Sequence, residues 1–410
     1  MPILAGKRIV LGVTGSIACY KAVDLASKLT QAGAAVDVIL SNAAGRFVTP
    51  LTFQAVTGRA VYTDLWGATG DDSGGLPTHI AHVGLGESAD IYAIIPATAN
   101  TLSKLAHGAS DDLISITALS APCPLIVAPA MDGSMYDHPA TQANIRTLTE
   151  RGAYLIPPDT GRFASGMVGL GRLPETPTLI GHLRRVVGRE GALQGRKVVV
   201  SAGGTREPLD PVRYIGNRSS GKQGHAIAQS AIDAGAREVI LVTSSDLPTP
   251  VGVVRVPVER AEEMEAALVA HCADADLLVM VAAVADFRPS RYAERKIKKE
   301  TDAPPVIELA ANNDILLTLK AERGRHGFPR VVVGFAAESD DLLLHAADKR
   351  QRKGLDLLVA NDITATDAGF SVDDNRVSIL DAAGNVQALD LMSKAEVADQ
   401  VIERASALLS

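Results

Sequence analysis

KRIVLGVTGSIACYK, residues 7–21, reads as a buried strand over 8–13, a tight turn at Gly15-Ser16 and the start of a helix over 17–31. A short apolar run bounded by turn residues suits a strand covered on both faces. The unit recurs along the chain. Runs at 36–40, 91–95 and 125–128 alternate with amphipathic segments such as 141–151, the pattern of a parallel, doubly wound α/β sheet. A second series occupies 197–200, 239–242, 277–281, 331–333 and 357–359, with helical patterns over 223–234 and 261–271. Two Rossmann-like α/β domains are expected, 1–190 and 191–410. LRRVVGREGALQG (183–195), a charged helix end running into glycines, joins them.

Composition narrows the function. With 410 residues, 47% hydrophobic and 21% charged, the chain has material for two buried cores. A formal net charge of −7 leaves no footprint for nucleic acid or an anionic membrane, and small soluble ligands are the expected partners. Cys19, Cys123 and Cys272 are scattered, without metal-ligand spacing or a disulfide framework, which suits a reducing cytoplasm. No run reaches the roughly 18 apolar residues of a membrane span.

In doubly wound sheets ligands bind beyond the carboxyl ends of the strands, so the loops leaving each strand are where chemistry is expected. After the first strand, Gly12, Gly15 and Ser16 permit backbone N–H groups to approach a phosphate at a helix N-terminus. The G-x-G-x-x-G fingerprint is missing, so a mononucleotide phosphate and a plain tight turn both fit. Further loops begin at Ser41-Asn42, at PATANTLSKLAHGASDDL (96–113) and at PAMDGSMYDHPAT (129–141). In the second half GNRSSGKQG (216–224) approaches a phosphate-binding loop. Gln223 stands where a Mg²⁺-binding Ser or Thr belongs, and Pro208 and Pro211 interrupt the segment before it, so that reading fails.

These loops, with SAGGTREPLDPVRYIGNRSSGKQG (201–224), AAVADF (282–287), KIKK (296–299) and VGFAAE (333–338), resemble the bacterial bifunctional enzymes of coenzyme A synthesis. Those proteins join a flavodoxin-like, FMN-binding phosphopantothenoylcysteine decarboxylase to a CTP-binding phosphopantothenate–cysteine ligase. The resemblance runs in order over nearly the whole chain. It implies ligation of cysteine to 4'-phosphopantothenate through an acyl-cytidylate, then decarboxylation to 4'-phosphopantetheine. In the decarboxylation FMN oxidises the cysteinyl thiol to a thioaldehyde, CO2 leaves, and hydride returns to the enethiol.

By the same resemblance Gly15, Ser16, Ser41, Thr98 and Asn100 line FMN, and Met131 and Asp132 meet the substrate. His82 is the active-site imidazole, with His79 as rival. Asn217 and Arg213 contact the pantothenoyl group and acyl-cytidylate. Asp286, Lys296, Asn313, Asp314, Phe335, Lys349 and Lys353 are assigned to CTP, with Mg²⁺ on its phosphates. Lys296 also meets the transition state of activation. Lys349 and Lys353 read equally well as exposed charges at a helix C-terminus. The family's trimeric and dimeric contacts together imply a homo-oligomer, a dodecamer.

Two positions depart from the family pattern. Many relatives carry Asn where Asp132 stands and Cys where Ser165 stands in the flap RFASGMVGLGRLPE (162–175). An ionised Asp132 repels a substrate carboxylate, so it must be protonated, turned aside or paired with a cation. A flap serine is a weaker proton donor than cysteine. The departures leave two accounts: a degraded decarboxylase, or a variant in which a neighbour such as Tyr136 or His138 shares the work. A flavoprotein oxidoreductase and a non-catalytic regulatory relative are the rival functions.

Overall fold

The computed structural model describes residues 2–65, 81–298, 306–338, 342–362 and 374–409. His79 and Lys299, named above, lie outside them. The chain separates into two compact units, Met1–Val187 and Gly188–Ser410.

The first unit runs β1 (Arg8–Val13), α1 (Cys19–Gln31), β2 (Ala35–Leu40), α2 (Pro50–Thr57), β3 (Val61–Tyr62), α3 (Ala81–Ser88) and β4 (Ile91–Ala97). It continues through α4 (Ala99–His107), α5 (Leu113–Ser120), β5 (Leu125–Pro129), α6 (Gly133–Tyr136), α7 (Pro139–Glu150) and β6 (Tyr154–Leu155). A two-stranded flap, β7 (Asp159–Arg162) and β8 (Val168–Arg172), precedes α8 (Thr176–Gly188). The sheet order is β3-β2-β1-β4-β5-β6, all parallel. Successive β1 side chains alternate between faces, Ile9 and Leu11 joining the α1 and α8 core and Val10 the core under α4 and α5. The apolar run is thus buried on both sides, as its composition predicts. The helix after β1 begins two residues later than its apolar pattern suggests, because Ser16 Oγ accepts from Ala18 N at 3.3 Å and holds the turn.

The second unit begins β9 (Lys197–Ala202), β10 (Arg206–Pro208), β11 (Tyr214–Gly216), α9 (Lys222–Asp233), β12 (Glu238–Thr243), β13 (Val253–Pro257) and α10 (Ala261–Cys272). Next come β14 (Leu277–Met280), β15 (Phe287–Pro289), β16 (Leu309–Ala311), α11 (Ile315–His326), β17 (Val331–Glu338), α12 (Leu342–Lys353) and β18 (Leu357–Asp362). The last elements are β19 (Asp374–Asn375), β20 (Val377–Leu380), β21 (Val386–Ala388), β22 (Met392–Ser393) and α13 (Lys394–Ala407). Its main sheet has the order β13-β12-β9-β14-β17-β18-β20-β21. The first six strands are parallel and the last two antiparallel. Helices α9 and α13 cover one face, α10 and α11 the other.

Both sheets reverse strand order once, at β1/β4 and at β9/β14. These are the places where a ligand crevice opens. The antiparallel edge was not legible in advance, since its strands are three or four residues long.

Asp37 fastens the first sheet's edge. Nearly fully buried on β2, it accepts from Arg8 Nε at 2.8 Å on one side and Arg59 Nε at 2.7 Å on the other. Asp37→Ala strands both guanidinium groups, although each reaches water, and the expected loss is about 1–3 kcal/mol. Calorimetry reads this as a lowered thermal midpoint; an unchanged midpoint would show that the pairs contribute nothing net.

Candidate functional site

At the β1/β4 reversal a cavity of about 730 Å³ opens, lined among others by Gly15, Ser16, Ser41, Thr98 and Asn100. All five residues matched to the flavin thus share one cavity. Its size is that of a small-molecule site. The walls are fixed locally: Ser41 Oγ accepts from Ala44 N at 3.2 Å, and Thr98 caps α4 by accepting from Thr101 N at 3.3 Å. A Cβ at Gly15 would sit 2.5 Å from Ala43 Cβ, so the β1 loop closes on the β2 loop only with glycine. This hydroxyl-rich cradle at a helix entry fits a flavin mononucleotide. Lys104 stands at the rim, paired with Asp111 and Asp112 at 2.7 Å each. Burial lowers its pKa, but the two carboxylates outweigh that and leave it raised.

A second cavity of about 590 Å³ adjoins the first, sharing Ser16, Ala130 and Met131. Lys21, Asp132, Arg162, Ser165 and Arg172 also line it. The flap is fixed to the 131–134 loop at three levels. Met131 N donates to Gly171 O at 3.0 Å. The Phe163 ring lies against Gly133 and Gly169, and at Gly171, with φ +145°, a Cβ would meet Met131 O at 2.4 Å. Finally Ser165 Oγ donates to Asp132 Oδ2 at 2.7 Å, while Asp132 Oδ1 accepts from Ser134 N at 3.2 Å and Ser134 Oγ at 3.1 Å. The two departures from the family pattern are therefore bonded to each other. The Ser165 hydroxyl, then the Ser134 donors, hold the Asp132 carboxyl below its ordinary range. Of the three expectations for Asp132, the geometry matches a carboxylate turned aside, toward its own hydroxyl and backbone donors.

Other expectations are redistributed. Tyr136 is buried in the core, and His138 Nδ1 accepts from Ala140 N at 3.2 Å to cap α7; neither lines either cavity. A helix start needing a cap consumes that histidine. His82, on α3, is half-buried, its carbonyl accepting from Ser120 Oγ at 3.1 Å, and it lines neither cavity.

In the second unit Asn217 Nδ2 donates to Ala283 O and Val284 O, both at 3.1 Å, fixing it to the loop after β14. An amide turned the other way would set oxygen against two carbonyls. Its Oδ1 is the polar atom left for a ligand. Arg213 donates to Asp210 Oδ2 and to Ile297 O at 2.9 Å, and Ile297 N donates back to Asp210 at 3.2 Å. This clasp presents the 296–298 segment, with Lys296 and Lys298 exposed. Asp286 is exposed at the end of the same strand loop. Asn313, Asp314 and Lys353, all matched to CTP, have partners within the fold. Asn313 donates to Glu265 Oε2 at 3.0 Å, and Asp314 caps α11 and pairs with Lys353 at 3.2 Å.

Phe335 lies within β17, not in a loop, and lines a third cavity of about 130 Å³ with Gly203, Gly221, Gln223, Asn361 and Lys394. Asp286, Lys296, Lys349 and Lys353 are not in its wall. Gln223 Oε1 and Asn361 Oδ1 are both buried without a partner. Such orphan acceptors call for a donor. Sequence reasoning used Gln223 only to reject a phosphate-binding loop, and passed over Asn361, Lys21 and Arg162. Asn361 had one signal, an amide at a strand's carboxyl end. Among the described residues no group of three or more His, Cys, Asp or Glu is placed to hold a metal, and no helix is long and apolar enough to cross a membrane.

The sequence model of the family described as Flavoprotein matches residues 3–188, and that of the DNA/pantothenate metabolism flavoprotein C-terminal domain matches 193–408. Proteins named coenzyme A biosynthesis bifunctional protein CoaBC are similar over their full length. The one from Mycobacterium tuberculosis is 44% identical over 97% of this chain and 96% of its own. That from Bacillus subtilis is 40% identical over 99% and 98%, and that from Vibrio vulnificus 40% over 100% of both.

The Asp210 clasp generates a prediction. The Arg213 guanidinium, then backbone N–H groups, hold its carboxyl far below the ordinary aspartate value of about 3.9. A depressed carboxyl stabilises the fold above the unfolded pKa and loses that contribution only as pH falls through the folded one. The clasp therefore persists from neutral pH to below about 4. Asp210→Asn should raise amide hydrogen exchange at residue 297 throughout that window. Unchanged protection would show that the segment is held by something else.

Proposed function

The chain belongs to the family of bifunctional coenzyme A biosynthesis proteins, and from that membership we propose how its two units divide the work. The protein joins cysteine to 4'-phosphopantothenate with CTP and decarboxylates 4'-phosphopantothenoylcysteine to 4'-phosphopantetheine with FMN. The first unit is the decarboxylase and the second the ligase. The observation that carries this division is the cavity at the first sheet's reversal, which gathers Gly15, Ser16, Ser41, Thr98 and Asn100 around a space suited to a flavin.

FMN, when bound, supplies the hydride acceptor and donor for the substrate's thiol carbon. The chain's own residues hold and shield. Ser16, Ser41, Thr98 and Asn100 bind the cofactor, while Met131 and the glycine-rich flap form the wall that separates substrate from water. His82 works from outside its own subunit's cavities, reaching the flavin of a neighbour. Exposed Ile17, Tyr20, Met167 and Val168 in this unit support a trimeric contact. In the second unit exposed Val212, Tyr214, Phe287 and Leu309 support a dimeric one, and together they close a dodecamer. The free thiols of Cys19, Cys123 and Cys272 support a cytoplasmic location.

In the ligase the pantothenate carboxylate attacks the α-phosphate of CTP and pyrophosphate leaves. The cysteine amine then attacks the acyl-cytidylate carbonyl and CMP leaves. Lys296, presented by the clasp, neutralises charge developing on the phosphates, Asp286 meets the nucleotide, and Mg²⁺ accompanies the triphosphate. Asn217 Oδ1 accepts from the incoming amine. Cavity three takes the base: Phe335 offers an apolar face, and the Gln223 and Asn361 acceptors suit the exocyclic amine of cytosine, where uracil carries a carbonyl.

Purified protein given 4'-phosphopantothenate, CTP, Mg²⁺ and cysteine should yield CO2, pyrophosphate and 4'-phosphopantetheine, identified by mass. Accumulation of 4'-phosphopantothenoylcysteine with flavin bound would establish the degraded-decarboxylase account. Lys296→Gln should cut pyrophosphate release by about 100-fold or more while bound flavin stays at wild-type stoichiometry; full release would refute its role. Asn361→Leu should narrow the preference for CTP over UTP by about 10-fold, read as the ratio of kcat/KM. An unchanged ratio would remove the base from cavity three.

A further inference from the structure

The second cavity of the first unit contains more charge than the proposed reaction has so far used. It is lined by three cations, Lys21, Arg162 and Arg172, and by the Asp132 anion. Two of the cations share one carboxylate, that of Glu175. Lys21 Nζ, itself buried, donates to Leu173 O at 2.8 Å and to Glu175 Oε1 at 2.9 Å. Arg172 donates to the same Glu175 oxygen at 2.8 Å. Arg162, the last residue of β7, is exposed, and its side chain forms no ion pair or hydrogen bond with a described residue. Asp132 is committed as well, with donors on both of its oxygens.

4'-Phosphopantothenoylcysteine brings a carboxylate into this space. Asp132 cannot donate to it, and as an anion repels it. Its two oxygens instead join α6 to the flap, because the Ser165 hydroxyl, 33 residues away, closes onto Oδ2. The Ser165 hydrogen spent on Asp132 is likewise unavailable to the substrate while that contact holds. A carboxylate in such a cavity needs a bidentate or charge-assisted donor, and a guanidinium is the side chain best shaped to supply one.

Resting on the decarboxylase reading above, we propose that Arg162 binds the substrate's cysteinyl carboxylate, and that Asp132 and Ser165 are positioning residues that latch the flap so that Arg162 stays in the wall of the second cavity, which adjoins that of the flavin. Carboxylate recognition in this chain has moved from the 131–134 loop onto the flap. Loss of CO2 then removes the group that Arg162 holds, so the product is released from a contact the substrate enjoyed.

The test uses the flavin-loaded full chain and two ligands that differ by that carboxylate. Arg162→Gln should raise KM for 4'-phosphopantothenoylcysteine by about 10- to 100-fold. It should leave the Kd of 4'-phosphopantetheine, read from the flavin absorbance, within about twofold of wild type. Arg162→Lys should recover part of the loss. Asp132→Asn, which keeps an acceptor for Ser165 but removes the charge, should lower KM in the wild-type background and partly rescue Arg162→Gln. Equal weakening of both ligands by Arg162→Gln, or a raised KM in Asp132→Asn, overturns the proposal. If Arg162→Gln fails to hold flavin, the direction of the Asp132→Asn change decides alone. Absence of CO2 release from the wild-type protein overturns the decarboxylase reading instead.

Discussion

A buried hydroxyl bridges the reversal point of each sheet, and the clefts depend on it. Where strand order reverses, neighbouring strands send their chains to opposite faces, and the backbone groups at their ends run out of ladder partners. In the first unit Thr14 Oγ1 donates to Pro96 O at 2.8 Å and accepts from Thr98 N at 3.0 Å. In the second, Ser201 Oγ accepts from Val281 N at 3.0 Å and Ala282 N at 3.1 Å. Both hydroxyls are buried. Without them Thr98 N, Val281 N and Ala282 N would lose their bonds at the strand ends, and the loops that follow would be less firmly fixed.

From that shared constraint the two units build unlike sites. The first surrounds its cavity with small hydroxyl residues and places a hairpin, the flap, against the neighbouring loop through backbone and glycine contacts. The second leaves most of its cationic side chains exposed and fixes the loop that carries them through Asp210 and Arg213. The difference matches the ligands proposed for each unit. A flavin that stays bound rewards a preformed cavity, whereas a triphosphate that arrives and departs each turnover is met by charge at a solvent-facing loop.

The pairing of Asp132 with Ser165 changes how the departures from the family pattern read. Taken singly, each removes a useful group: an amide donor in one place, an acidic thiol in the other. Together they make a charge-assisted hydrogen bond that neither relative residue would make in the same form. Two losses have become one contact.

What the amino-acid sequence determined by itself was local. The alternation of apolar runs and amphipathic segments specified two doubly wound sheets, because a strand covered on both faces and a helix covered on one leave different periodicities. The glycine at position 15 and the loop motifs marked strand ends where cavities open. The tertiary structure alone decided which side chains meet there. Ser165 reaches Asp132, Asn361 and Gln223 share a cavity with Phe335, and His82 lines neither cavity of its own unit. Periodicity reports which face of an element is buried, but not which distant element covers it. Partners separated by tens or hundreds of residues are set only when the sheet closes and every strand end has taken its place.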